Sequence, residues 1–325
     1  MSAAPKMNFN VQDLILPQYR SAVDLLINVS PMTFSHLNSN TIYVSEKESP
    51  EFLMRMANEK AANHLVQTSA PNFERTLNSS ARMIFEPSNF KKQPLLNIFN
   101  PGSFDQNVEN KLCIYEKYFS AATEKKSVLQ ELDDKLAEKK ASGSLRSELL
   151  VVADELFTNA VFNAPFADRE AADGPKVSRE RTDVQMDQGK QGRLFVGCDD
   201  QSVAICCFDP YGSLVITKLL DRIRSCFMNG VSRSMNMGAT GGAGIGSYMV
   251  YGSSTDYFLV VDPGECTMIC SVTPLKMSSR ARQELPKSVH ILDMTRVCEI
   301  RACLHLTGPP SKNQFKGSQG ARRKG

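Results

Sequence analysis

Glu155, Asn159 and Asn163 recur at every fourth position of one run, so a helix there carries them as a single polar line. An Asn carbonyl oxygen suits the oxygen-rich shell of Mg²⁺, and a carboxylate one turn earlier suits deprotonation of a hydroxyl or a water. Asp209 closes an apolar run and opens Asp209-Pro210-Tyr211-Gly212. A carboxylate at a strand end can accept the exocyclic amine proton of adenine in an otherwise apolar pocket. Gly241-Gly242-Ala243-Gly244-Ile245-Gly246 leads into an apolar helical stretch. Glycines let backbone N–H groups at a helix start close around phosphate, and the helix dipole helps. No Lys-Ser/Thr follows, so this is not a Walker A loop, and its place in the chain is wrong for a dinucleotide-binding turn. Taken singly, each group also reads as something ordinary: a solvated helix face, a turn, a flexible glycine loop.

The elements that must position these groups are legible in the apolar periodicity. Leu149, Val152, Ala153, Leu156 and Ala160 mark the buried face of a helix over residues 145–161, ended by Pro165. Phe162 beside the polar line suggests a partly buried pocket wall. Val128, Leu129, Leu132 and Leu136 give residues 121–140 a narrow apolar stripe. Hairpins are expected over 194–208 and 257–272, the second turning at Asp262-Pro263-Gly264-Glu265. Residues 215–227 read as a helix and 229–240 as a flexible stretch. In the first hundred residues, strands over 41–45 and 64–67 alternate with helices, one capped by Ser49 and one over 72–85, which suggests a parallel sheet. The unit is receiver-like in that order, although no phospho-acceptor Asp pocket is visible. Residues 87–102, with three prolines, read as a linker. Residues 287–306 are apolar enough to imply order that the rest does not explain.

Composition narrows the classes. At 42% hydrophobic and 22% charged residues the chain can bury a real core. A net charge of +3, part of it in residues 316–324, is too small to argue for nucleic acid. No secretory leader pattern and no run of about 18 apolar residues is present, so a cytoplasmic protein without membrane contact is expected. The nine cysteines form no CxxC pair and read as buried, reduced thiols. His36, His64, His290 and His305 are isolated in sequence and read as structural or surface residues.

Together, and in this order, the three groups resemble the ATP-binding domain of the GHKL family, shared by histidine kinases and anti-sigma-factor serine kinases. Glu155-Leu156-Phe157-Thr158-Asn159 is similar to that family's N box, Asp209-Pro210-Tyr211-Gly212 to its first glycine box, and Gly242-Ala243-Gly244-Ile245-Gly246 to its second. Residues 229–240 stand where the family has its ATP lid. The likeness covers residues 108–274. It departs at the first glycine box, where Gly212 comes one place late and Leu214 holds the second glycine position.

The resemblance implies an α/β protein. Residues 108–285 would form a two-layer Bergerat-fold sandwich, with a mixed, mainly antiparallel sheet covered by helices on one face. Residues 1–100 would form a smaller α/β regulatory or docking domain, 101–107 a linker, and 286–325 an extension ending in a disordered basic tail. The implied cofactors are ATP and Mg²⁺. Asn159 would hold the metal, Glu155 would act as base and Asp209 would read adenine. Asn163, Gly212, Gly242, Gly244, Ile245 and Gly246 would complete the nucleotide site. Lacking a phospho-acceptor His box and the large transducer domains of the topoisomerase and chaperone branches, the chain looks most like the serine kinases. These act on a sigma factor or an anti-sigma antagonist and often form homodimers. Arg222, Arg224 and Arg233 would then steady the triphosphate, or simply form a solvated helix face. Alternative outcomes are a non-catalytic ATP-binding docking module and a histidine-kinase-like protein without its own acceptor.

Overall fold

The computed structural model describes residues 10–27, 40–46, 49, 52, 54, 63–167, 181–229 and 245–295. One mixed nine-stranded sheet organises them: β1 (Asp24–Ile27), β2 (Thr41–Ser45), β3 (His64–Gln67), β4 (Cys113–Phe119), β5 (Gly192–Cys198), β6 (Ser202–Asp209), β7 (Asp256–Asp262), β8 (Cys266–Pro274) and β9 (Ser288–Asp293). The order across the sheet is β1-β2-β3-β9-β7-β8-β6-β5-β4. β1, β2 and β3 pair in parallel, as the alternation of elements predicts, and β4 to β8 pair antiparallel. β9, from the stretch whose order the sequence left unexplained, joins the two sets, antiparallel to β3 and parallel to β7.

Both hairpins form, for the expected reasons. Asp199 Oδ1 accepts from the amides of Gln201 and Ser202 in the first turn. In the second, the Glu265 amide donates to the Asp262 carbonyl at 2.9 Å with Gly264 at φ +79°, a conformation that favours glycine. Ser49 Oγ accepts from the Phe52 amide at 3.1 Å, the expected cap.

Helices α1 (Phe73–Phe85), α2 (Pro87–Lys92) and α3 (Pro94–Phe99) follow β3. The expected linker over 87–102 is therefore mostly helical. Its prolines sit at the first turn of α2 and α3, where a missing N–H costs nothing. Next come α4 (Gln106–Leu112), α5 (Lys125–Glu138) and α6 (Gly143–Thr158). After the first hairpin come α7 (Ile216–Asn229), α8 (Ile245–Ser253) and α9 (Ser279–Gln283).

Helices lie on both faces of the sheet, where the sequence led us to expect one. The alternation of residues decides this. Val203, Ile205 and Cys207 share a core with Leu149, Val152, Leu156 and Leu220 of α6 and α7. Their neighbours Ala204 and Cys206 share another with Phe90, Leu95 and Phe99 of α2 and α3. Every residue of β8 is buried, the mark of a strand covered twice. No helix among the described residues is long and apolar enough to cross a membrane.

Candidate functional site

α6 carries Glu155. Ser142 caps its start, its Oγ accepting from the Leu145 amide, and Leu149, Val152, Ala153 and Leu156 anchor it on the sheet. The neighbouring polar residues of the motif serve the scaffold. Asp154 pairs with Lys125 of α5 at 2.6 Å, and the Thr158 hydroxyl accepts from the same ammonium at 3.0 Å. The helix does not stop at Pro165 in one step. It widens into a π turn at Asn159–Asn163 and then tightens into a 3₁₀ turn at Ala164–Phe166. Such π turns are frequent at functional sites because they re-aim side chains. Here the Asn163 amide nitrogen donates to Asn159 Oδ1 at 2.6 Å, fixing the carbonyl oxygen expected to face a metal. Phe162 is buried in the core below.

α8 brings Ile245 and Gly246 to α6. A Cβ built on Gly246 would lie 1.9 Å from Glu155 Cδ, so a larger residue there would have to turn the Glu155 carboxylate aside. The acid of the first motif and the last glycine of the third are thus in direct contact. Glu155 itself is buried, and its charge, after desolvation, helps raise the Tyr257 phenol. Gly242, Gly244, the expected lid over 229–240 beyond Asn229, and Arg233 lie outside the described residues. Arg222 is exposed on α7, and Arg224 lies 3.7 Å from Asp221. Neither is brought to Glu155 by any contact of the described residues.

Asp209 ends β6 on the same face as α6. Burial pushes its carboxyl up to about 6, while the Tyr211 amide, the Thr267 hydroxyl and the Gly212 and Thr267 amides pull it back. The Tyr211 amide donates to Oδ1 at 3.0 Å. Gly212 has φ +59°, and a Cβ there would sit 2.0 Å from the Asp262 carbonyl oxygen, so the late glycine is required both by conformation and by space. Ser213 Oγ then donates to the Ala164 carbonyl at 2.9 Å, tying this loop to the end of the π and 3₁₀ segment. The Asp209 turn and the Asn159 segment are therefore neighbours.

One residue of this region is invisible to motif reading. Thr267 is the register partner of Asp209 across β6 and β8, on the same face. Its hydroxyl is buried beside that carboxylate and helps to hold it ionised. The only signal for it is strand register between segments far apart in sequence.

Asp209 offers an acceptor to a hydrogen-bond donor, with the Thr267 hydroxyl beside it. At the start of α8 the Glu155 carboxylate fills the space beside Gly246, and that carboxylate and Asn159 Oδ1 are oxygen donors of the hard type that Mg²⁺ takes.

Away from this site, His64 and His290, isolated in sequence, are register partners across β3 and β9, with ring centroids 5.9 Å apart and both side chains buried. Ser80 Oγ lies 2.8 Å from His290 Nδ1, and Asp256 Oδ1 lies 4.0 Å from its Nε2. Asp256 in turn accepts from Thr76 and Thr255. His36 and His305 lie outside the described residues.

No protein-family model matches the chain and no curated protein matches it, so the reading of the site rests on its geometry.

Proposed function

We propose that the chain binds ATP with Mg²⁺ at the site framed by Glu155, Asn159, Asp209 and Gly246. In this reading it works as a cytoplasmic regulatory protein resembling the anti-sigma-factor serine kinases, acting on a Ser or Thr of a sigma factor or antagonist-like partner. The observation that carries this is the contact of Gly246 with the Glu155 carboxylate, which joins two motifs that a nucleotide site would need side by side. The finer architecture, a Bergerat-type domain over 108–285 with a regulatory unit over 1–100, is part of the same proposal. ATP supplies the phosphoryl group, and Mg²⁺ the neutralisation of its charge.

The chain's own residues have these roles. Asp209 accepts the adenine amine and Thr267 faces the same edge. Asn159 Oδ1, held by Asn163, joins the metal's shell. Gly212, Gly242, Gly244, Ile245 and Gly246 give the backbone approach to the phosphates, and Glu155 takes the proton of the attacking hydroxyl. A second reading, an ATP-binding docking module without transfer, is favoured by Leu214 in place of a glycine and by the packing of the Gly212 loop on the Asp262 turn.

Calorimetry with ATP, with and without Mg²⁺, tests the site. Micromolar, Mg²⁺-dependent binding lost in Asn159→Ala supports it, and no binding at millimolar nucleotide refutes it. Glu155→Ala separates the two readings. Under the first it abolishes phosphate transfer to a partner and spares ATP binding, whereas under the second there is no transfer to lose.

A further inference from the structure

The sheet ends at β4, and no described strand runs along its outer edge. Edge strands are usually guarded by charges that repel an incoming chain. On β4 the two central charges are engaged within the molecule. Lys117 lies 2.9 Å from Glu131 of α5, and Glu116 lies 3.2 Å from Arg193 of β5. Turned outward on the same face are Tyr118, 53% exposed, and Glu116, whose side chain stays 40% exposed in its pair with Arg193.

Beside Tyr118 a cavity of about 410 Å³ opens on the sheet face opposite Asp209, lined among others by Lys190, Arg193, Phe208 and Pro210. Tyr118, Arg193 and Phe208 form one row across β4, β5 and β6. Arg193 lies 4.4 Å over the buried Phe195 ring, and with Tyr118 and Phe208 it gives the lining a cationic and aromatic character. Lys190 Nζ sits 4.1 Å over the Tyr211 ring, and no described carboxylate lies within ion-pair distance of it. An aromatic and an arginine at the centre of a recess, with a lysine at its rim, are the residue types that dominate protein–protein contacts.

We propose that the outer edge of β4 receives an extended acidic segment of a partner protein, which adds a tenth strand and sets a carboxylate against Lys190 over the Tyr118 ring. Main-chain hydrogen bonds along the edge supply affinity, and the alternate side chains facing the cavity supply selection. The charge of Lys190 selects for acid, since Glu116 already occupies Arg193. The inference does not depend on nucleotide binding at Asp209.

The test uses the full chain and a fluorescein-labelled, acetylated heptapeptide of alternating Val and Glu, followed by fluorescence anisotropy at low ionic strength. The expected result is saturable binding, weakened roughly tenfold or more by Lys190→Glu and by Tyr118→Ala. The same loss is expected when alternate peptide amides are methylated, because methylation removes the strand hydrogen bonds and leaves the charge. Both side chains are outside the core, and circular dichroism checks that each variant is folded. Equal binding of a Val–Lys peptide, indifference to amide methylation, or no binding overturns the proposal. So does a concentration-dependent dimer, lost in Lys190→Glu, that excludes the peptide, which assigns the edge to a second copy. Binding that appears only when residues 168–180 are replaced by a Gly/Ser run assigns the edge to that segment, and also overturns it.

Discussion

Replacing His64 by leucine should change how stability depends on pH more than it changes stability itself. His64 is buried at the junction of β3 and β9, and burial holds its imidazole at about 3, against an ordinary value of 6.5. The folded protein therefore keeps this ring neutral at pH values where the unfolded chain protonates it. The unfolded state binds the extra proton, so stability falls as the pH drops below about 6.5 and goes on falling toward pH 3. With those two values, linkage gives a loss of about 2 kcal/mol between pH 7.5 and 5, the slope steepening toward its limit of about 1.4 kcal/mol per pH unit only as the pH nears 5. His290 is depressed by burial and by its neighbour, and adds in the same direction.

Asp256 and Asp209 act oppositely: burial raises both carboxyls, so the folded state takes up their protons first as the pH falls. The wild-type curve is a sum of these effects, and the informative quantity is a difference. Urea unfolding followed by circular dichroism at half-unit steps from pH 7.5 to 5 gives it. The gap between His64→Leu and wild type should shift in favour of the variant by about 2 kcal/mol across that range. Two curves that stay parallel would refute the reasoning, since they would mean the ring titrates alike in both states.

Other outcomes follow from the site and its supports. Asp209→Asn should weaken ATP binding and remove its pH dependence near 6, because wild-type affinity should fall as the carboxyl protonates below that value; calorimetry at pH 7.5 and 5.5 reads both effects. Gly246→Ala should turn the Glu155 carboxylate aside at a cost of about 1 kcal/mol, the low end for overpacking, and Glu155→Ala in the same chain should recover most of it, as a double-mutant cycle in urea would show. Arg282 is buried against Glu148, so Arg282→Ala should cost about 3–5 kcal/mol by leaving an unpaired acid, a loss readable in the same unfolding experiment.

What the sequence disclosed depended on whether the determining contacts were local. The helix over 143–158, both hairpins and the strands over 41–45 and 64–67 rest on periodicity, caps and turn residues, all of which sit within a few positions of each other. The polar line Glu155, Asn159, Asn163 was legible, but the π turn that sets Asn163 on Asn159 was not, because it depends on how the chain packs after Thr158. Prolines 87 and 94 read as linker signals and proved to be first-turn residues of α2 and α3; the apolar residues that bury those helices belong to a second face of the sheet. Thr267 opposite Asp209, and His64 opposite His290, come from register between distant segments. No single-residue signal encodes that register. The contact of Gly246 with Glu155 sits between these cases: both residues were expected at the site, and only the packing of α8 on α6 shows that they touch.

The place of β9 also sets an order of events on the ribosome. Gln67, at the end of β3, bonds Ser288, which is 221 positions later. At roughly 5–20 residues per second, β3 waits about 10–45 s after synthesis for the strand that will cover it. During that interval β3 has an open edge, and so does β7 once it is made, since β9 is the partner of both. The parallel unit can collapse on its own helices, and α2 and α3 can already pack on the antiparallel strands, but the two sets of strands cannot join into one sheet until the segment from Lys287 onward has left the tunnel. Late closure by non-local pairing is slow and leaves strand edges open to other chains. A nascent chain stalled before residue 287 would present two such edges at once, and the chaperone demand of this protein should be concentrated in that window.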